Sequence, residues 1–104
     1  MIVAMPGDYG KPRPAVIVQS DNIVAVDSLL VCPFTSDLID APFYRIDVSP
    51  DAENGLKVPS QLMVDKIAPA PRHKIGTVVG RIDAATLDRL GGAIALIAGL
   101  LDEA

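Results

Sequence analysis

Tryptophan is absent from this chain, and two tyrosines and two phenylalanines are its whole aromatic complement. Stacking platforms for a flat ligand are therefore few. A single cysteine, Cys32, rules out an internal disulfide. Its place in the apolar stretch "LLVCPF" reads as a buried, inert thiol. With one histidine, His73, beside that cysteine, the side chains that usually build a ligand pair are missing, so no metal and no cofactor is expected. Long apolar runs are missing too. The longest, "AIALIAGLL" from Ala93 to Leu101, falls far short of the ~20 residues that cross a bilayer. The start "MIVAMPGDYG" has no basic region and meets Pro6 and Gly7 early, unlike a secretory signal. A soluble, cytoplasmic chain without membrane contact is expected. There is no excess of positive charge, since the net charge is −4. The global balance thus lacks a nucleic-acid binder's footprint, although a local cationic groove can coexist with acidic flanks.

What is present suits one ordered domain over residues 1–104: half the residues are hydrophobic. Short strand-like runs separated by Pro, Gly, Asn and Asp fill the first four fifths of the chain. "AVIVQ" (15–19) and "SLLVCPF" (28–34) are nearly continuous apolar runs, as in strands covered on both faces. "FYRIDV" alternates, with Tyr44, Ile46 and Val48 on one side. Beyond the turn signal "SPDAENG", "SQLMVDKI" reads as a strand in which Leu62 and Val64 oppose Met63, Asp65 and Ile67. "APAPRHK" reads as a stiff connector, with His73 in solvent. "IGTVVGRI" (75–82) is a further strand, whose Gly76 and Gly80 suit the bulges or bends of a small barrel. The period then changes. Leu87, Leu90, Ile94, Ile97 and Leu101 recur at three and four, a helical stripe with Asp83 as N-cap. Gly91 and Gly92 inside that helix suggest a close backbone approach or a kink, and its surplus apolar faces suggest a partner subunit. The fold class expected is mainly β (α+β): short antiparallel strands with a C-terminal helix.

Three polar clusters interrupt this pattern. In "GDYGKPRP", Pro12 and Pro14 fix their own φ and hold Arg13 in extended backbone, while Gly7 and Gly10 admit close approach by a ligand. Two readings of Arg13 stand here: a guanidinium fork aimed at phosphate or carboxylate oxygens, and a surface ion pair with Asp8 or another carboxylate. In "PFTSD", Thr35 and Ser36 are turn caps or ligand contacts. In "VDKI", Asp65 and Lys66 stand at a strand end.

Taken together, "GKPRPAVIVQSD", "VCPFTS", "NGLKVPSQLMVDKI" and "IGTVVGRIDAATLDRLGGAIALIAGL" resemble, in that order and over nearly the whole chain, the MazF/PemK (Kid) toxins of bacterial toxin–antitoxin systems. The resemblance implies a small SH3-like barrel of the CcdB/MazF type with a terminal helix, a homodimer, and metal-independent endoribonuclease activity restrained by a cognate antitoxin protein. Carried over by position, it implies catalytic roles for Arg13 and Thr35, a secondary place for Ser36, and acid–base work for Asp65. The chain departs from some members in having Met63 where they carry an arginine, and in a compact "PGDYGK" without their loop histidine.

Cleavage of single-stranded RNA through its own 2′-hydroxyl needs a group that takes the 2′ proton, donors for the charge growing on the phosphate, and a proton for the leaving oxygen. The roles expected are charge stabilisation by Arg13, orientation of a phosphate oxygen by Thr35, and Asp65 as base. Lys11, Arg45 and Lys66 are expected at phosphates, Ser36 beside them, and Tyr9 or Phe43 against an unpaired base. DNA is reached only indirectly, through an antitoxin. The rival readings are a non-catalytic gyrase-binding toxin similar to CcdB, and an inactive SH3-like module that binds protein.

Overall fold

The structure, a computed structural model, describes residues 1–6, 12–18 and 27–99. Seven strands are formed among these residues: β1 (Ile2–Met5), β2 (Arg13–Ile17), β3 (Ser28–Thr35), β4 (Arg45–Val48), β5 (Ser60–Met63), β6 (Ala68–Pro71) and β7 (Val78–Gly80), followed by α1 (Ala84–Ile97). The strands are antiparallel in the order β4-β5-β3-β2-β1-β7, with β6 also paired to β3. This is the mainly β arrangement with one terminal helix that the sequence leads one to expect.

The long strand β3 is the pivot. One of its edges pairs with β2, while the other is given first to β6, over Ser28–Val31, and then to β5, at Phe34 and Thr35. Pro33, which has no N–H to donate, lies at this change of partner. A strand that swaps neighbours in this way turns a sheet corner, and the two faces acquire separate cores. Ile2, Val16, Cys32, Phe34, Leu62 and Ile46 line one face and are covered by Leu90 of α1, with Ala93 and Ile94 beside it. Burial of one such side chain contributes about 1.5–3 kcal/mol. Ala15, Val31 and Ala70 form a smaller core on the opposite face, with Met5, Ile17 and Ile75 packed against it.

Four expectations are corrected in detail. "APAPRHK" is not a connector: Ala68–Pro71 is strand β6, and Arg72–Lys74 is a 3₁₀ turn. Its prolines fall at every second residue, opposite Leu30 and Ser28, so both take ladder sites that need no donor while Ala68 and Ala70 keep theirs. Strand β5 ends at Met63, and Val64–Lys66 is a 3₁₀ turn. The ladder runs out there because β4 begins at Arg45, directly opposite Met63, so Asp65 does not continue the strand's alternation. The last strand is shorter than residues 75–82. Gly76 joins β1 through its N–H to the Ala4 carbonyl at 2.8 Å, and the register then slips, Ile2 facing Gly80 and Val3 facing Val78. Val79 is thus an extra residue, a bulge beside a glycine as anticipated. Finally, Leu90 and Ile94 carry the buried row of α1 together with Thr86 and Ala93, whereas Leu87 and Ile97 are exposed. The helix rests on β4 and the Val64–Lys66 turn, a narrow support that accepts one row. Leu101 lies outside the described residues.

Two backbone close approaches fix the loop before β5. Gly55 has φ +72°, and a Cβ there would fall on the Val79 carbonyl oxygen. A Cβ on Gly80 would fall on the Asn54 carbonyl. Asn54 is buried and holds the turn, accepting from Leu56 N–H at 3.0 Å and donating to the Ser49 carbonyl at 2.9 Å. Gly91 and Gly92 differ: among the described residues nothing comes within 4 Å of a Cβ there.

A second clamp orders the segment after β3. Gln61 is 4% exposed. Its amide nitrogen donates to the Ile39 carbonyl and to Asp47 Oδ1, each at 2.8 Å, and its oxygen accepts from Ile39 N–H at 3.1 Å. Gln61→Leu leaves both backbone groups of Ile39 without these partners and is expected to destabilise the fold by about 1–3 kcal/mol; an unchanged urea midpoint contradicts this.

At the start of α1 the Asp83 carboxylate accepts from the Thr86 hydroxyl at 2.6 Å and from Thr86 N–H at 3.2 Å. These bonds, the hydroxyl's foremost, hold its pKa below the ordinary 3.8. A carboxyl lowered on folding stabilises the native state above its unfolded value and ceases to do so as pH falls through the lowered one. Asp83→Asn retains an acceptor without the titration. Its stability deficit against the parent, measured by urea unfolding, is expected at neutral pH and to shrink as pH falls below about 4; a pH-independent deficit contradicts this.

Candidate active site

Strand register brings the first two polar clusters together. Ala15 faces Pro33 and Ile17 faces Val31 across β2 and β3, and continuing that register by two residues sets Arg13 across from Thr35. Such cross-strand neighbours have Cβ atoms about 4.5–5.5 Å apart on one face. Met5 faces Arg13, Gln61 faces Thr35, and Asp47 faces Gln61. The row Met5–Arg13 and the row Thr35–Gln61–Asp47 thus run toward each other, and Arg13 and Thr35 line the same cavities where they meet.

Arg13, Pro14, Phe34 and Thr35 are shared by two adjoining cavities of about 460 and 420 Å³. The pair stands on the ridge between them. The larger cavity continues to Ser36, Lys57, Val58 and Ser60, and among the described residues it has two cations, Arg13 and Lys57, and no carboxylate. The smaller continues to Met5, Pro6, Asp37 and Met63, and among the described residues it sets one carboxylate against one guanidinium. A chain of net charge −4 thus presents a locally positive basin.

Thr35 fills one of the two roles considered for it, the turn cap. Its Oγ1 accepts from Asp37 N–H at 3.1 Å, a turn cap that occupies an oxygen lone pair. The hydroxyl hydrogen stays available to donate toward the ridge. Arg13 forms no ion pair with any described residue. The alternative partner Asp8 lies outside the described residues, as do the expected contacts Tyr9 and Lys11 and the glycines Gly7 and Gly10.

Asp65, Lys66, Arg45 and Phe43 line neither cavity. Arg45 Nε lies 3.8 Å from Asp65 Oδ1, and it is buried without a hydrogen bond. Arg45 stands across from Met63, one row from Arg13 and Thr35, but turns its charge to the carboxylate. Phe43 is 68% exposed in the turn before β4. Burial, with the Asp65 charge as a lesser cause, pushes the Cys32 thiol up to about 12, so it stays protonated and inert. His73 is exposed. Among the described residues no three His, Cys, Asp or Glu side chains gather as a metal group, and no helix is long and apolar enough to cross a membrane.

Sequence reasoning missed Lys57, Ser60 and Asp37. Lys57 follows Gly55, and only the glycine's left-handed φ returns the chain over the sheet toward Arg13; "NGLK" was legible as a turn, not as a turn aimed at the other cluster. Asp37 was visible in "PFTSD", but its bond to Thr35 was not.

Residues 3–98 match the model of the PemK-like, MazF-like toxins of type II toxin-antitoxin systems. A "Probable endoribonuclease MazF" of Mycolicibacterium smegmatis is 39% identical over 98 residues, covering 93% of this chain and 90% of the relative. Among solved structures, the Mycobacterium tuberculosis toxin MazF-mt6 superposes with a TM-score of 0.81 at 26% identity, covering 98% of each chain. A mycobacterial endoribonuclease in complex with its cognate antitoxin superposes at 0.75, with 18% identity over 95% of this chain and 92% of the other; at that identity the likeness concerns the fold alone. With the family model matched over residues 3–98, and the ridge built from Arg13, Pro14, Phe34 and Thr35 in segments on which the resemblance rested, the chain belongs to the PemK-like, MazF-like toxins of type II toxin-antitoxin systems.

Proposed function

We propose that the chain is a single toxin domain over residues 1–104 that cleaves single-stranded RNA in the cytoplasm without a metal, at a phosphodiester seated on the ridge between Arg13 and Thr35. The observation that carries the reading is the pairing itself: a guanidinium with no partner among the described residues stands across from a hydroxyl whose oxygen is already engaged, between two open basins.

The 2′-hydroxyl gives up its proton to water as its oxygen attacks phosphorus, the bond to the 5′-oxygen breaks and that oxygen takes a proton from water, and the products are a 2′,3′-cyclic phosphate and a free 5′-hydroxyl. Arg13 offers parallel N–H donors to the oxygens on which charge grows. Thr35 donates to one of them and fixes the phosphate's orientation. Lys57 holds a neighbouring phosphate in the larger basin, with Ser36 and Ser60 as hydroxyl donors. Asp65, proposed from the resemblance for acid–base work, takes part in this reading through Arg45, which it holds beside the ridge. Lys66 stands next to it on the same turn.

The partners that accompany the reading are a cognate antitoxin and a second copy of the chain. An acidic antitoxin segment fits the basin that holds Arg13 and Lys57. Leu87, Leu96 and Ile97 leave apolar surface along α1, which suits a homodimer.

Purified protein is expected to cleave RNA in EDTA, leaving the ends described, and to spare an oligonucleotide with a 2′-deoxy sugar at the cut. Arg13→Ala is expected to lower kcat roughly 10²–10³-fold, as for loss of one donor to a developing oxyanion; cleavage at the parent rate removes Arg13 from the mechanism.

Lys57→Ala is expected to weaken RNA binding at every sequence and to reduce the slope of log affinity against log salt by about 0.7, the value for one phosphate contact on a single strand. An unchanged slope takes Lys57 off the phosphate path.

A further inference from the structure

The smaller cavity has a chemistry unlike its neighbour's. Met5, Pro6, Pro33 and Met63 are among its walls, and Ala15 and Val31 of the second core also line it. Among the described residues its charged side chains are Arg13, on the shared ridge, and Asp37. A phosphate track lined by a carboxylate works against itself, because like charges a few ångströms apart repel. The cavity instead suits a flat heterocycle that meets apolar walls on its faces and presents hydrogen-bond donors to a carboxylate.

Position adds to composition. Asp37 is tied to the ridge, because its own N–H donates to Thr35 Oγ1 at 3.1 Å, and its carboxylate forms no ion pair with a described residue. Gln61 holds the following backbone at Ile39 through two hydrogen bonds, so the segment that carries Asp37 is fixed at both ends. An RNA phosphate placed between Arg13 and Thr35 has this cavity on one side and the larger basin on the other, within reach of its adjoining nucleosides.

We propose that the cavity bordered by Met5, Pro33, Met63 and Asp37 is a nucleobase subsite next to the scissile phosphate, where Asp37 selects a base whose Watson–Crick edge offers two adjacent donors, guanine above all. A carboxylate only accepts. Guanine sets N1–H beside its 2-amino group and can meet both oxygens. Cytosine and adenine offer one amino group next to a ring nitrogen that repels the second oxygen, and uracil offers one N–H between two carbonyls. The expected ranking at this position is guanine, then cytosine and adenine, then uracil, with a preference for guanine over uracil of roughly 10–100-fold, the scale of one bidentate base contact.

The inference rests on the endoribonuclease reading and is tested separately from it. A random-sequence RNA library is digested by the parent and by Asp37→Asn, cut ends are sequenced, and kcat/KM is measured on matched oligonucleotides with guanine or uracil at the affected position. Asp37→Ser is run in parallel, and thermal unfolding checks that both variants fold. The parent is expected to show guanine at one position adjoining the cut, and both variants are expected to lose at least tenfold of that preference while the other positions keep theirs. An unchanged motif in both variants overturns the subsite, and so does an equal loss on all substrates, which would assign Asp37 to the chemical step. Absence of cleavage by the parent instead refutes the reading beneath it.

Discussion

The antiparallel register of β2 against β3 is the constraint on which the rest depends. A slip of one residue would turn Arg13 to the opposite face, away from Thr35. The register is held from both sides of the sheet: Val16 and Cys32 are buried opposite each other in the main core, while Ala15 and Val31 anchor the smaller one. Hydrophobic burial of ordinary strand residues thus does the positional work for a polar pair that contributes little to stability itself. The prolines flanking Arg13 add stiffness, but the ladder sets the address.

Local and global electrostatics diverge for a related reason. Among the described residues the acidic side chains lie away from the larger basin, on a turn at Asp51 and Glu53 and in an ion pair at Asp65. The larger basin instead gathers Arg13 and Lys57 from separate segments, and only the left-handed turn at Gly55 brings the second of them back over the sheet. A polyanion meets this concave potential at short range, where geometry outweighs the sum of charges. In the proposed reading the same basin receives an acidic antitoxin segment, so that substrate and inhibitor compete for one surface.

Much of the architecture was legible in the sequence because it depends on local patterns. The apolar runs around Val16 and Cys32 gave their strands, the change of period at Leu90 gave the helix, and Asp83 announced its cap. The failures came where tertiary pairing decides. Pro69 and Pro71 suggested a connector because a proline pair ordinarily breaks strands, yet their spacing of two lets an edge strand survive. Met63 and Asp65 were placed on one strand because nothing local signals that β4 begins opposite Met63. The site divides in the same way: Arg13, Thr35 and Ser36 belong to segments adjacent in the sheet, whereas Lys57 arrives through a turn whose direction depends on one glycine's contact with Val79.

If Arg13 and Thr35 hold the same phosphate, their effects on cleavage must be coupled. The direct measurement is a double-mutant cycle on kcat/KM with Arg13→Ala, Thr35→Val and the combined variant. The account predicts marked non-additivity, the second substitution costing far less once the first is present. Costs that simply multiply would mean that the two side chains act on different parts of the substrate, contrary to the arrangement derived from the strand register.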